Sequence, residues 1–80
     1  MIHDYKNHSP KISDNAFIAP NATVIGDVEI GEFSSVFFGS VIRGDIAPVR
    51  IGNYTNVQDL SILHQTPGLP LTLEDLSLIH

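Results

Sequence analysis

Aliphatic side chains recur at every sixth position along much of the chain. Ile12, Ile18, Val24, Ile30, Val36 and Ile42 keep one frame, which resumes after three extra residues at Ile51, Val57 and Leu63. A further member, Leu73, follows a longer interruption. Four residues beyond each of the earlier aliphatics stands a small or β-branched residue: Ala16, Ala22, Val28, Ser34, Ser40, Ile46, Thr55 and Ser61. A period of six matches neither the 3.6-residue turn of a helix nor the two-residue alternation of an ordinary strand. It predicts an all-β solenoid, a parallel β-helix whose triangular coils each take three hexads, with the aliphatic pointing into the prism. Such a solenoid has no deep pocket within one chain. Its chemistry must lie on its outer faces and between subunits.

The same frame divides the chain. Residues 1–11 precede the repeat, and Ser9-Pro10 marks an entry turn, so they are expected to form an N-terminal lead-in that caps the first coil. Residues 12–75 are the hexapeptide-repeat β-helix, truncated to between three and four coils. Its corners carry Gly26-Asp27, Gly31-Glu32 and Gly52-Asn53, where glycine and asparagine would supply positive φ. Two stretches break the frame, Asp45 to Arg50 and Gln65 to Pro70. Insertions in repeat proteins map to loops on one face, often the functional one.

Composition narrows the function. The formal net charge is −5, with four Lys or Arg against nine Asp or Glu, which argues against a nucleic-acid partner. With no cysteine, neither a disulfide framework nor a thiolate metal site is available. No apolar run is long enough to span a bilayer, and the first residues do not read as a signal peptide. The expectation is a cytoplasmic protein with no membrane partner.

Residues 41–64 hold the candidate chemistry. Arg43, Gln58 and His64 each directly follow an inward aliphatic and should therefore point outward. Ile42 and Leu63 are three hexads apart, which places Arg43 and His64 on one prism face, about one strand spacing (~4.8 Å) from each other. Gln58 falls on the adjoining face, and Asp45, Asn56 and Asp59 complete a polar cluster. Pattern alone reads equally well as a solvated face. His3 and His8, in the lead-in, read as surface residues, and Phe37, at an outward position, as packing at a subunit contact.

The block Arg43-Gly44-Asp45 with Ala47-Pro48, followed by Ile51-Gly52 and Thr55-Asn56-Val57-Gln58-Asp59 through Leu63-His64-Gln65, resembles the γ-class carbonic anhydrase-like branch of the hexapeptide-repeat proteins. The resemblance covers about residues 12–75. It implies a left-handed β-helix, a homotrimer, and a metal between adjacent subunits, usually zinc, held by three histidines. Carried over by position, His64 is a metal ligand and Gln58 orients the metal-bound water or hydroxide. Arg43, Asp45 and Asp59 form charged pairs at the subunit contact, supported by Asn56. The implied substrate is small, carbon dioxide or bicarbonate. Zinc on three neutral imidazoles keeps one position open and lowers the pKa of its water to near ~7.

The chain departs from that family where the second and third histidines should follow. His80 misses the expected register by one residue, and no third candidate is present. The resemblance therefore implies an N-terminal fragment, inactive by itself and holding no metal, of a longer enzyme. Leu76-Ser77-Leu78-Ile79-His80 is also the translation of a widely used transposon-end sequencing adapter, and residues 76–80 are expected to be a non-native tail. Two alternatives stay open: a hexapeptide acyltransferase using acyl-CoA with His64 as general base, and a non-catalytic trimeric assembly module.

Overall fold

The computed structural model describes residues 1–63, 71–75 and 78–79. Among them the regular structure is β throughout: β1 (Ile2–His3), β2 (Lys11–Ile12), β3 (Phe17–Ile18), β4 (Thr23–Ile30), β5 (Ser35–Val36), β6 (Val41–Ile51), β7 (Asn56–Val57), β8 (Ile62–Leu63), β9 (Leu71–Leu73) and β10 (Leu78–Ile79). Every strand pairing is parallel, as a solenoid requires. No helix among the described residues is long and apolar enough to cross a membrane.

The long strands β4 and β6 turn a corner, and so each serves two faces of the prism. On the first face the order is β1, the start of β4, the start of β6, then β8. On the second it is β2, the end of β4, the end of β6, then β9. The third face is β3, β5, β7 and β10. Register stacks the six-residue frame into three columns. Ile2, Val24, Ile42 and Leu63 align on the first face, and Ile12, Ile30, Ile51 and Leu73 on the second. Ile18, Val36, Val57 and Ile79 align on the third. Val24, Val36, Ile42 and Val57 are fully buried, so the hexad aliphatics form the core that the period predicts. The lead-in adds a rung of its own, because Ile2 pairs with Val24. The backbone of Leu78–Ile79 pairs with Asn56–Val57 in the hexad's own register.

Two local expectations need correction. The small-residue position of the hexad beginning at Ile42 is Val49, not Ile46. Gly26 pairs with Gly44 and Val28 with Val49, so the three extra residues enter before the position is reached, among residues 45–48. Val49 is completely buried, as is Val28 beneath it. The second correction concerns corners. Gly26 has the positive φ expected of it (81°), but Gly31 and Gly52 do not; the left-handed residues there are Phe33 (56°) and Tyr54 (55°). Gly31 and Gly52 are required by close approach instead. A Cβ on Gly31 would collide with Asn53, and one on Gly52 with Asp75.

The other inward column is partly polar, and the hydroxyls of Ser34, Ser40 and Thr55 are paired along the solenoid axis. Ser34 Oγ donates to the Gly52 carbonyl (2.6 Å) and accepts from the Thr55 amide (3.0 Å). Ser40 Oγ donates to the Gln58 carbonyl (2.5 Å), and Thr55 Oγ1 to that of Glu74 (2.9 Å). Each hydroxyl ties one coil to the next coil's corner. A Ser34→Ala variant leaves the Thr55 amide and the Gly52 carbonyl without this partner, at a cost of about 1–3 kcal/mol. Urea unfolding, read as a lower midpoint at unchanged slope, measures it.

Candidate functional site

Arg43 lies one residue beyond the inward Ile42 on the first face, in register with Ile25 and, through it, with His3 of the lead-in. Its guanidinium reaches along the strand to Asp45, with Nη2 at 2.8 Å and Nε at 3.3 Å from the same carboxylate oxygen, Oδ2. The contact is therefore a two-nitrogen grip on one oxygen rather than a parallel fork. Asp45 is the more enclosed partner, its side chain 17% exposed against 44% for Arg43. Asp45 stands two residues along the same strand, where side chains share a side, at the start of the register shift between β4 and β6.

The remaining candidates sit around the next corner. Asn56 lies on the third face in register with Ser35, flanked by Leu78 on the far side. Gln58, half-buried, lies one residue past the Val36–Val57 pair, on the rung next to Phe37. Asp59 is exposed at the turn that leads from β7 into β8. Among the described residues, no side-chain hydrogen bond or ion pair joins Asn56, Gln58 or Asp59 to Arg43 or Asp45. The structure thus brings Arg43 and Asp45 together and sets the other three beside them on the adjoining face and corner. His64 lies outside the described residues, as does His80. Among the described residues no group of three or more His, Asp or Glu is placed to hold a metal ion.

An apolar ridge runs through the same corner. Phe38 is 51% exposed, Leu60 78% and Ile62 65%. Leu60, at φ 59°, seats its side chain over Gly39 of the coil below. Phe37 does more within the chain than an outward position suggests. It is half-buried and meets Phe17 edge to face, with ring centroids 6.2 Å apart. Phe38, Leu60 and Ile62 thus leave apolar side chains exposed along one edge of the prism.

A second charged group was not singled out by sequence reasoning. Arg50 pairs with Asp27 at 2.9 Å, lies 3.5 Å from Glu29, and donates to the Asp27 and Val49 carbonyls. His8 Nδ1 stands 3.8 Å from the other Asp27 oxygen, and a cleft of about 270 Å³ opens between His8, Asp27, Asp45 and Pro48. The signal was present: Lys11, Glu29, Arg50 and Thr72 each precede an inward aliphatic and stack on the second face. Reading that single column across coils shows the alternating charges.

Residues 9–44 match the family model described as bacterial transferase hexapeptide (six repeats). The chain is 61% identical over 75 residues to an uncharacterized transferase of Bacillus subtilis, covering 94% of this chain and 44% of that protein. It is 56% identical over 75 residues to a carbonic anhydrase of Geobacillus kaustophilus, covering 94% and 41% respectively. A crystal structure from Bacillus cereus, described as a candidate acetyltransferase, superimposes with a TM-score of 0.92 at 55% identity, covering 94% of this chain and 44% of that one. The chain spans less than half the length of each of these relatives.

Proposed function

We propose that this chain, a hexapeptide-repeat protein homologous to the γ-class carbonic anhydrases, carries part of the active face of a metal-dependent enzyme that hydrates carbon dioxide. The observation that supports it most is the Arg43–Asp45 grip on the first face, with Gln58 on the adjoining face one corner away. The resemblance gives these residues the roles of an interface ion pair and a water-orienting amide. The described residues do not themselves make a ligand set for a metal, and His64 lies outside them, so no step of the reaction is assigned to the metal.

The Gln58 amide offers both a donor and an acceptor, enough to hold one water in a fixed orientation. The Arg43–Asp45 pair is partly exposed and contributes little to folding, about 0–1 kcal/mol. It gains value if a neighbouring subunit covers it, since a desolvated guanidinium–carboxylate pair fixes register. The ridge of Phe38, Leu60 and Ile62 beside it supplies apolar area for that cover, consistent with a homotrimer.

The test is a Gln58→Ala variant of the whole protein. Carbon dioxide hydration should fall by about 10²-fold with metal content and thermal stability unchanged, as expected for loss of one oriented polar group. The second reading, acyl transfer, is motivated by the Bacillus cereus structure, described as a candidate acetyltransferase. Thiol release from acetyl-CoA with added amine or hydroxyl acceptors, and no acceleration of hydration, would favour that reading.

A further inference from the structure

The turn of the lead-in, between β1 and β2, and the three extra residues of β6 fall at one corner of the prism, between the first and second faces. Gly26 and Asp27 hold the same corner on the coil between them. The lead-in turn is fixed there. Tyr5 and His8 exchange backbone hydrogen bonds, Tyr5 N to His8 O at 2.9 Å and His8 N to Tyr5 O at 3.0 Å. Tyr5 rests on Gly26, where an added Cβ would come within 3.2 Å of Tyr5 Cβ.

This anchoring sets the His8 imidazole at the cleft of about 270 Å³, which passes Asp27 and is also lined by Gly44, Asp45 and Pro48. The cleft runs from an exposed side chain to an enclosed one, since His8 is 60% exposed and Asp45 17%. Asp45 is the carboxylate gripped by Arg43, so the cleft leads from the candidate site to solvent. Asp27 is itself held in place. Arg50 takes its Oδ1 at 2.9 Å and its backbone carbonyl at 3.2 Å, while Oδ2 stands 3.8 Å from His8 Nδ1. At that separation the carboxylate is an ion-pair partner for a charged imidazole rather than a hydrogen-bond acceptor. The charged groups around the ring are thus Asp27 of β4, Asp45 and Arg50 of β6, and Asp4 and Lys6 of the lead-in.

We propose that His8 carries away the proton released when carbon dioxide is hydrated, with Asp27 as its positioning residue; this rests on the carbon dioxide reading of the candidate site. In hydration a water oxygen bonds to carbon and one of its O–H bonds breaks, giving bicarbonate and one proton. That proton leaves through water in the cleft to His8 Nε2, which hands it to buffer. The cleft has room for several waters, at about 30 Å³ each. An imidazole both takes and gives a proton near neutral pH, and a carboxylate beside it stabilises the charged form between the two transfers.

The experiment uses the metal-loaded whole protein and its His8→Ala variant, followed by stopped-flow hydration at low and high buffer. At low buffer kcat should fall by at least about tenfold with kcat/KM unchanged, because carbon dioxide is attacked before the proton leaves. Added imidazole buffer should restore kcat, which it could not do for a structural defect. His3→Ala, an equal loss of an exposed lead-in histidine, should leave both constants as they are. A second readout needs no turnover: the His8 ring signals in nuclear magnetic resonance should move on Asp27→Asn and stay in place on Asp14→Asn. Equal kcat in His8→Ala at low buffer, a fall in kcat/KM that imidazole does not rescue, or His8 signals indifferent to Asp27→Asn would overturn the proposal. A parent that does not hydrate carbon dioxide at all would overturn the carbon dioxide reading, and this proposal with it.

Discussion

A Val36→Asp variant is expected not to fold. Val36 sits in the middle of the third-face column, between Ile18 and Val57 by register, and has no solvent exposure. Its neighbours across the prism, Val24, Val28, Ile42 and Val49, are fully buried and apolar. Among the described residues no cation is buried, and the buried hydroxyls of Ser34, Ser40 and Thr55 already donate to carbonyls, so a carboxylate there is left unpaired at a cost that exceeds the stability of an ordinary domain unless it is protonated. Because each coil is stabilised by its neighbours, the loss is not confined to one rung. Circular dichroism should show no β signal for Val36→Asp, while Ile42→Ala, which only leaves a cavity, should fold with stability lower by about 2–5 kcal/mol. A folded Val36→Asp chain of unchanged stability would mean that the third face is not the inner wall described here.

Substituting His64 in the whole protein should abolish metal retention and hydration together. Three protein ligands and one open position define a catalytic zinc site, and two imidazoles hold the ion far more weakly than three. The expectation for His64→Ala is metal content near zero after dialysis and a hydration rate indistinguishable from buffer, with the solenoid intact by circular dichroism. Wild-type metal content in His64→Ala would remove that residue from the ligand set. Arg43 and Asp45 would then be left as a structural pair on a face without a metal centre.

Most of the architecture was legible in the sequence because one physical rule repeats. An aliphatic every six residues can be buried along its whole length only by a three-sided parallel coil, and the columns through Val24, Val36 and Ile42 follow directly. Counting hexads also placed Arg43 and Gln58 on adjoining faces. The limits were local. An insertion at a corner leaves the period ambiguous, since extra residues can enter before or after the small position. Only the Gly26–Gly44 and Val28–Val49 pairs decide for Val49 over Ile46. Corner φ was misassigned because glycine has two uses, left-handed conformation and close approach, and Gly31 and Gly52 serve the second. The Asp27–Arg50 pair links residues 23 apart in the chain and needs the stacking register to be seen. Ile62 precedes the inward Leu63 as Arg50 precedes Ile51, so its outward position was legible, whereas the exposure of Leu60 at the corner was not.

The most direct test of the carbon dioxide reading is the hydration rate of the whole protein, followed by stopped-flow pH indicator through removal and return of metal. Rapid hydration is expected from protein holding about one divalent ion per subunit, with loss of that rate when a chelator strips the ion and recovery on adding zinc. A whole protein that is folded, trimeric and metal-replete yet leaves the hydration rate at that of buffer would contradict it.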